Sequence, residues 1–382
     1  MEPKLLLTPG PTPIPPEVSQ AMSQGMIGHR SSDFTELMQH VQSNIGEVFG
    51  SKYPVAVLTS SGTSALETAM INLVGKDESI IIIASGAFGD RFKSIAKAHP
   101  FHVHVYEVPW GEGVDIQEFE AFLNSKSDIK AVFSQACETS TAVLHPIGKI
   151  GRIVKNYDPS TLFIVDGVSA VGGTPFNLEA QSIDCLVTGS QKALMLPPGI
   201  AFVTMNEAAR VRASQNRLPR FYLDINQYFS ALEKHSTPFT PAVSLMQGLD
   251  KVLSIYKEEG MDKIFARHMK MKDMIRAGLT ALDLELLVEE AYASPTVTAF
   301  KGEEAELSHI KDTLQKEYGI SIAGGQKQLK GKILRIGHMG YMFPKDMLTV
   351  LAALESILTR YRNKNYYGTA LTAAQEAYHE SI

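Results

Sequence analysis

Between residues 55 and 205, short apolar runs alternate with helical stretches, and this alternation limits the fold more than any other feature of the chain. The first run is Val55-Ala56-Val57-Leu58. Others lie at 79–84, 103–108, 131–133, 162–165, 183–188 and 200–205. Helical stretches fall at 65–74, 90–99, 116–123 and 150–157. Continuous apolar runs suit strands buried on both faces, and their alternation with helices builds a mainly parallel, doubly wound α/β sheet.

The flanks are less regular. Six prolines within residues 1–16 make an extended arm. Residues 17–49 read as two helices, the second capped by Ser32 or Asp33, with His29 and Arg30 in the turn between them. Residues 206–245 show no clear period. A helix over 243–259 stops at Gly260. Beyond it come a helix at 261–282, strands near 284–288 and 296–300, a helix at 303–318 and a strand at 333–336. The expected division is an arm (1–16), a large domain (17–259) and a smaller α/β domain (260–382). The tail from 363 carries few core residues and reads as a loosely packed helix.

A chain of 382 residues exceeds one typical core. The formal net charge is -5 and there is no basic stripe, which argues against nucleic acid. The two cysteines, Cys137 and Cys185, form neither a disulfide framework nor a metal-ligand spacing, so no metal is expected. Both sit by apolar runs and read as buried thiols. No run is long enough for a bilayer and the start does not resemble a signal peptide, so a cytoplasmic protein without membrane contact is expected.

Three strand ends carry candidate chemistry. Lys192 follows the run 183–188 and is itself followed by Pro197-Pro198-Gly199, which stop a helix. A lysine there can form a Schiff base in a dry pocket, or can be an ordinary surface residue. Asp166 closes the preceding run, where it can cap a turn or pair with a protonated ring nitrogen. Ser61-Gly62-Thr63 lies between a strand and a helix, where it can bind an anion or merely cap the helix. There is no Walker lysine and no G-x-G-x-x-G. A lysine, an aspartate and an anion turn are the arrangement pyridoxal phosphate requires.

The motifs TPGPTPIPPEV, GHRSSDF, SSGTSALE, GAFGDR, ETSTAV, VDGVSAVGG, TGSQKALMLPPG, TPFTPAVSL and LRIGHMG span almost the whole chain. In that order they resemble the class V (fold-type I) aminotransferases of the alanine–glyoxylate and serine–glyoxylate/pyruvate group. The resemblance implies a large domain with a mainly parallel seven-stranded sheet, a smaller C-terminal α/β domain, and pyridoxal 5'-phosphate as cofactor. It implies that Lys192 forms the internal aldimine and that Asp166 bonds the pyridine nitrogen. Phe88 would stack on the ring, where several relatives carry tryptophan. Val168 would pack on the opposite face, and Thr139 would bond near the ring O3′ or the nitrogen side. Ser61, Gly62, Thr63 and Gln191 would hold the phosphate; close relatives often have histidine at the third of these positions. Thr237 and Thr240 would reach the neighbouring subunit's phosphate, making a homodimer with shared sites. Arg335 would grip the substrate carboxylate, although from the residues alone it could equally be a strand-edge cation.

The activity so implied moves an amino group from alanine or serine to glyoxylate or pyruvate. (S)-Ureidoglycine–glyoxylate transamination in purine breakdown and a lyase on the same fold are the alternatives. A cysteine desulfurase would need a cysteine well after the lysine, and none follows Cys185. A non-catalytic, hydrogenase-associated subunit is a further reading, opposed by the complete set Asp166, Lys192 and Arg335.

Overall fold

A computed structural model describes residues 4–380. Residues 1–3 of the expected arm and 381–382 of the tail lie outside the described residues.

The centre is a seven-stranded sheet. In chain order its strands are β1 (Val55–Leu58), β2 (Ser79–Ala84), β3 (His102–Glu107), β4 (Ile129–Gln135), β5 (Leu162–Asp166), β6 (Cys185–Gly189) and β7 (Ala201–Met205). The spatial order is β1-β7-β6-β5-β4-β2-β3. Only β7 runs antiparallel to its neighbours, so the other six carboxyl ends open on one edge. Four consecutive isoleucines, Ile80 to Ile83, are buried in β2, as a strand covered by helices on both faces requires.

Helices with clear termini cover the sheet. Ser32–Phe49 is capped by the Ser31 hydroxyl, one residue before the expected cap, and ends at Gly50 in the left-handed region (φ 55). The stretch 206–245 is more ordered than its sequence suggests. It holds helices Glu207–Gln215 and Ile225–Leu232, capped by Asn206 and Asp224. Val243–Glu259 forms as expected, and the backbone turns at Gly260 (φ 85) before Met261–Ala281.

A three-stranded antiparallel sheet, Val297–Lys301, Ala323–Gly324 and Ile333–Gly337, forms beyond that helix. The strand expected near 284–288 is absent; one isolated bridge, Leu286 to Phe300, stands in its place. The tail corrects a second expectation. Thr369–Glu380 is a helix docked on Met261–Ala281, with Ala370 and Ala374 fully buried. Small alanines let two helices approach closely, so a tail poor in large residues still packs tightly.

Two apolar cores result. One surrounds the large sheet; the other runs from Met271 through Phe300, Leu334 and Leu354 to Tyr366. The arm joins them. Leu5–Leu6 pairs in parallel with Ile320–Ser321, and Thr12 N donates to Gln191 O at 3.2 Å. No helix among the described residues is long and apolar enough to cross a membrane.

Candidate active site

The carboxyl edge of the large sheet gathers most of the expected residues. Asp166 is the last residue of β5 and is paired with Val187 of β6. Two and three residues beyond Gly189, the end of β6, the chain reaches Gln191 and Lys192. The same edge carries Ser61 and Gly62, just past β1.

Lys192 is 7% exposed. Its Nζ donates to Pro9 O in the arm. Gly10 (φ 108) closes on the same side chain: a Cβ there would lie 2.6 Å from Lys192 Cδ. Thr12 Oγ1 donates to Lys192 O at 2.7 Å. Burial lowers the amine to about 8, with Arg335 and Arg91 pushing the same way and Cys137 and Asp166 opposing.

Asp166 is 4% exposed. Its Oδ1 accepts from Val168 N at 2.8 Å. Burial raises the carboxyl to about 7 against that bond. Val168 packs by Gly62, where an added Cβ would meet its Cγ2 at 3.2 Å. The Gln191 amide oxygen arrives at the same place. A Cβ on Gly189 would touch both Gln191 Oε1 (2.8 Å) and Gly62 N (3.5 Å).

The helix Gly62–Leu73 begins there without a side-chain cap. Its first turn leaves the Gly62 and Thr63 N–H groups unpaired within the helix. Ser64 Oγ, in the same turn, is buried with no partner. Open N–H groups and an orphaned hydroxyl at the positive end of a helix suit a phosphate.

Arg335 is 4% exposed, on the strand Ile333–Gly337. Its acceptors are all neutral carbonyls: Thr139 O at 2.8 Å from Nη1, and Gly324 O at 3.1 Å from Nε and 2.8 Å from Nη2. Burial lowers it to about 10, so it stays charged at neutral pH. A buried guanidinium with no carboxylate bonded to it is a ready anion site.

Phe88 lies in the first turn of the helix Ala87–Lys97, with the Arg91 guanidinium 4.6 Å from its ring centroid. Thr139 Oγ1 bonds Ser169 Oγ. Thr237 and Thr240 are not gathered with these. Thr237 is buried and donates to Phe239 O at 2.8 Å, whereas Thr240 is exposed. Arg30, left open in the sequence, fastens this loop through Ser236 Oγ at 2.7 Å and Thr237 O at 2.6 Å.

Three participants went unassigned in the sequence: Pro9, Ser169 and Glu138. Glu138 is fully buried, and its carboxylate accepts from Phe88 N and Gly89 N, each at 3.0 Å, and from Ser140 N at 3.1 Å. Its one sequence signal is a charge placed at the end of an apolar run. Both cysteines are buried free thiols, and burial raises Cys137 to about 11. No group of three His, Cys, Asp or Glu able to hold a metal occurs among the described residues.

The site thus offers a buried amine, a buried carboxyl, an open helix terminus and a buried cation. A planar, phosphate-bearing aldehyde with an acid-binding ring nitrogen, such as pyridoxal phosphate, fits that donor and acceptor set.

Comparisons with known proteins agree. The aminotransferase class-V family model matches residues 5–342. An uncharacterized aminotransferase of Methanocaldococcus jannaschii is 40% identical, covering 93% of this chain and 92% of that protein. The soluble hydrogenase 42 kDa subunit of Anabaena cylindrica is 36% identical over 97% of each chain. Among solved structures, pyridoxamine–pyruvate aminotransferase from Mesorhizobium loti superposes with a TM-score of 0.95 at 29% identity, covering 100% of this chain and 98% of that one. The chain therefore belongs to the class-V aminotransferases, enzymes of fold type I that work with pyridoxal phosphate.

Proposed function

We propose that this enzyme moves the amino group of a small amino acid, alanine or serine, to glyoxylate or pyruvate. The observation that carries this reading is Arg335, a buried cation bonded only to carbonyls and tied through Thr139 to the edge that holds Lys192. Such a cation recruits a substrate carboxylate. On the arm side, Pro9 and Gly10 lie against Lys192, and we take the donor's side chain to be short. Relatives support a glyoxylate acceptor by name: L-aspartate–glyoxylate aminotransferase of Paracoccus denitrificans (31% identical) and serine–glyoxylate aminotransferase of Methylorubrum extorquens (30%).

Bound pyridoxal phosphate supplies an aldehyde for amine exchange and a ring that draws the electron pair from the substrate's Cα. In this reading Ser61, Gly62, Thr63 and Gln191 hold the phosphate. Asp166 would hold a proton at the ring nitrogen, and Phe88, Val168 and Thr139 would complete the seat of the ring. Lys192 Nζ would hold the cofactor's aldehyde and, as a free amine, would take the substrate's α-proton. Its lowered proton affinity suits that role.

We also propose a cytoplasmic homodimer, divided near Gly260 within each chain. Exposed Phe221, 73% accessible, packs on Phe239, which also stacks on Tyr222, so these three rings form an apolar surface beside Thr237 and Thr240. A second subunit would cover it and bring those threonines to a phosphate. Two free buried thiols suit a reducing compartment.

The test is a donor panel of alanine, serine, aspartate and (S)-ureidoglycine against glyoxylate, pyruvate and 2-oxoglutarate. The protein should turn yellow with the cofactor, and borohydride should fix the cofactor's mass on Lys192. A protein that stays colourless and inert sinks the reading; a best donor carrying a long side chain sinks the small-substrate part. Sedimentation as a monomer would reject the dimer.

A further inference from the structure

We infer that Glu138 is the positioning residue that sets Phe88, Thr139 and Arg335 relative to one another, so that one buried carboxylate joins the cofactor seat to the substrate seat. The inference rests on the site reading proposed above and adds a residue to it.

The geometry has three parts. The first is the head of the helix Ala87–Lys97. Gly86, its N-cap, has no side chain to offer, and the helix's first N–H groups are met from another segment. Ala87 N donates to Ser140 Oγ at 2.9 Å, and Phe88 N and Gly89 N donate to Glu138 Oε2 at 3.0 Å. An anion at a helix N-terminus is favoured by the peptide dipoles as well as by these bonds. The second part is the turn that carries the carboxylate. Glu138 Oε1 accepts from Ser140 N at 3.1 Å and Ser140 Oγ at 2.5 Å. The turn is thereby locked onto the helix head. The third part is Thr139, held between these two residues. Its hydroxyl bonds Ser169, and its carbonyl receives Arg335 Nη1 at 2.8 Å. Any shift of Glu138 moves Phe88 through the peptide N–H and Arg335 through the Thr139 carbonyl.

Close approach makes this specific to the present residues. A Cβ on Gly86 would lie 2.4 Å from Glu138 Cγ and Cδ and 2.5 Å from Ser140 Oγ. Only glycine there lets the carboxylate reach both N–H groups. A neutral amide cannot replace the carboxylate. Every partner of both oxygens is a donor or can act as one, so either orientation of a glutamine points an NH₂ group at N–H donors. The full burial of Glu138 means that no solvent makes up the loss.

The experiment compares wild type, Glu138→Gln and Ser140→Ala, each with and without pyridoxal phosphate. In the cofactor-free Glu138→Gln protein, the amide hydrogens of Phe88 and Gly89 should exchange about tenfold faster or more, as lost charge-assisted bonds require. In the loaded enzyme, cofactor affinity should fall about tenfold and the donor KM should rise about tenfold, since both seats shift. Ser140→Ala, which keeps the carboxylate, should move all three in the same direction by less, and it serves if Glu138→Gln does not fold. Faster exchange with unchanged affinity and KM would make Glu138 a helix cap only and overturn the inference, while leaving the borohydride label on Lys192 and the proposed function intact. A wild type that never takes up the cofactor would overturn both.

Discussion

Lys192 Nζ donates its hydrogen bond to the carbonyl of Pro9, 183 residues earlier in the chain. The amine is thus held by a neutral acceptor in a buried place, and its proton affinity is depressed to about 8 from an ordinary 10.5. Below pH 8 both the folded and the unfolded lysine are charged, and the cost of burying that charge is present in full. Between pH 8 and 10.5 the unfolded chain holds the extra proton, so folding stability rises with pH. Lys192→Met removes the cost. Without cofactor it should melt about 1–3 °C above wild type at pH 7, the gap closing by pH 10. The same variant should lose transamination and the borohydride label. A constant gap across that range would reject the buried charge.

Asp166 gives the opposite profile in a separate window. Its folded carboxyl is raised to about 7, so between pH 4 and 7 the folded state keeps a proton that the unfolded state has released. Stability of the cofactor-free protein therefore falls as pH rises through that window. Asp166→Asn should flatten the fall in a melting series, and in the loaded enzyme it should lower kcat about a hundredfold or more by removing the charge at the ring nitrogen. Full activity in Asp166→Asn would sink the assignment.

Arg335 separates binding from stability. Arg335→Ala should raise the donor KM about a hundredfold. It should also cost about 1–3 kcal/mol of stability, because the Thr139 and Gly324 carbonyls lose their donor. Arg335→Lys keeps the charge but cannot span both carbonyls and a carboxylate, so it should restore stability better than KM. Steady-state kinetics and denaturant titration on the same samples check this; an unchanged KM in the alanine variant rejects the carboxylate role.

Gly10→Ala tests the arm. The new methyl group would need space already held by the Lys192 side chain, in a backbone region (φ 108) that alanine avoids. Its kcat should drop about tenfold or more, with the protein's melting little changed. Wild-type turnover would show that the arm does not constrain the lysine.

What could be read from the sequence followed burial patterns. The isoleucines of β2 and the strand ends at Asp166 and Lys192 stood out because burial on both faces leaves a continuous apolar run that stops abruptly. The helix Glu207–Gln215 did not, since it buries only Ala209 and Ala213 and shows almost no apolar face. The docked tail was misread for the same reason, its contacts resting on alanines. Within the site, residues that act from their own strand end were legible. Glu138 was not, because its partners are N–H groups of a helix about fifty residues earlier, and no spacing records such a meeting. The Pro9 carbonyl was hidden for the same cause.

The arm is fastened at both ends of its run: Leu5–Leu6 pairs with Ile320–Ser321, and Thr12 bonds Gln191 O and Lys192 O. Pro9, whose carbonyl accepts from Lys192, lies between these two anchors. The arm is thus a tether: a displacement of Ile320–Ser321 relative to the large sheet would be carried along it to the lysine.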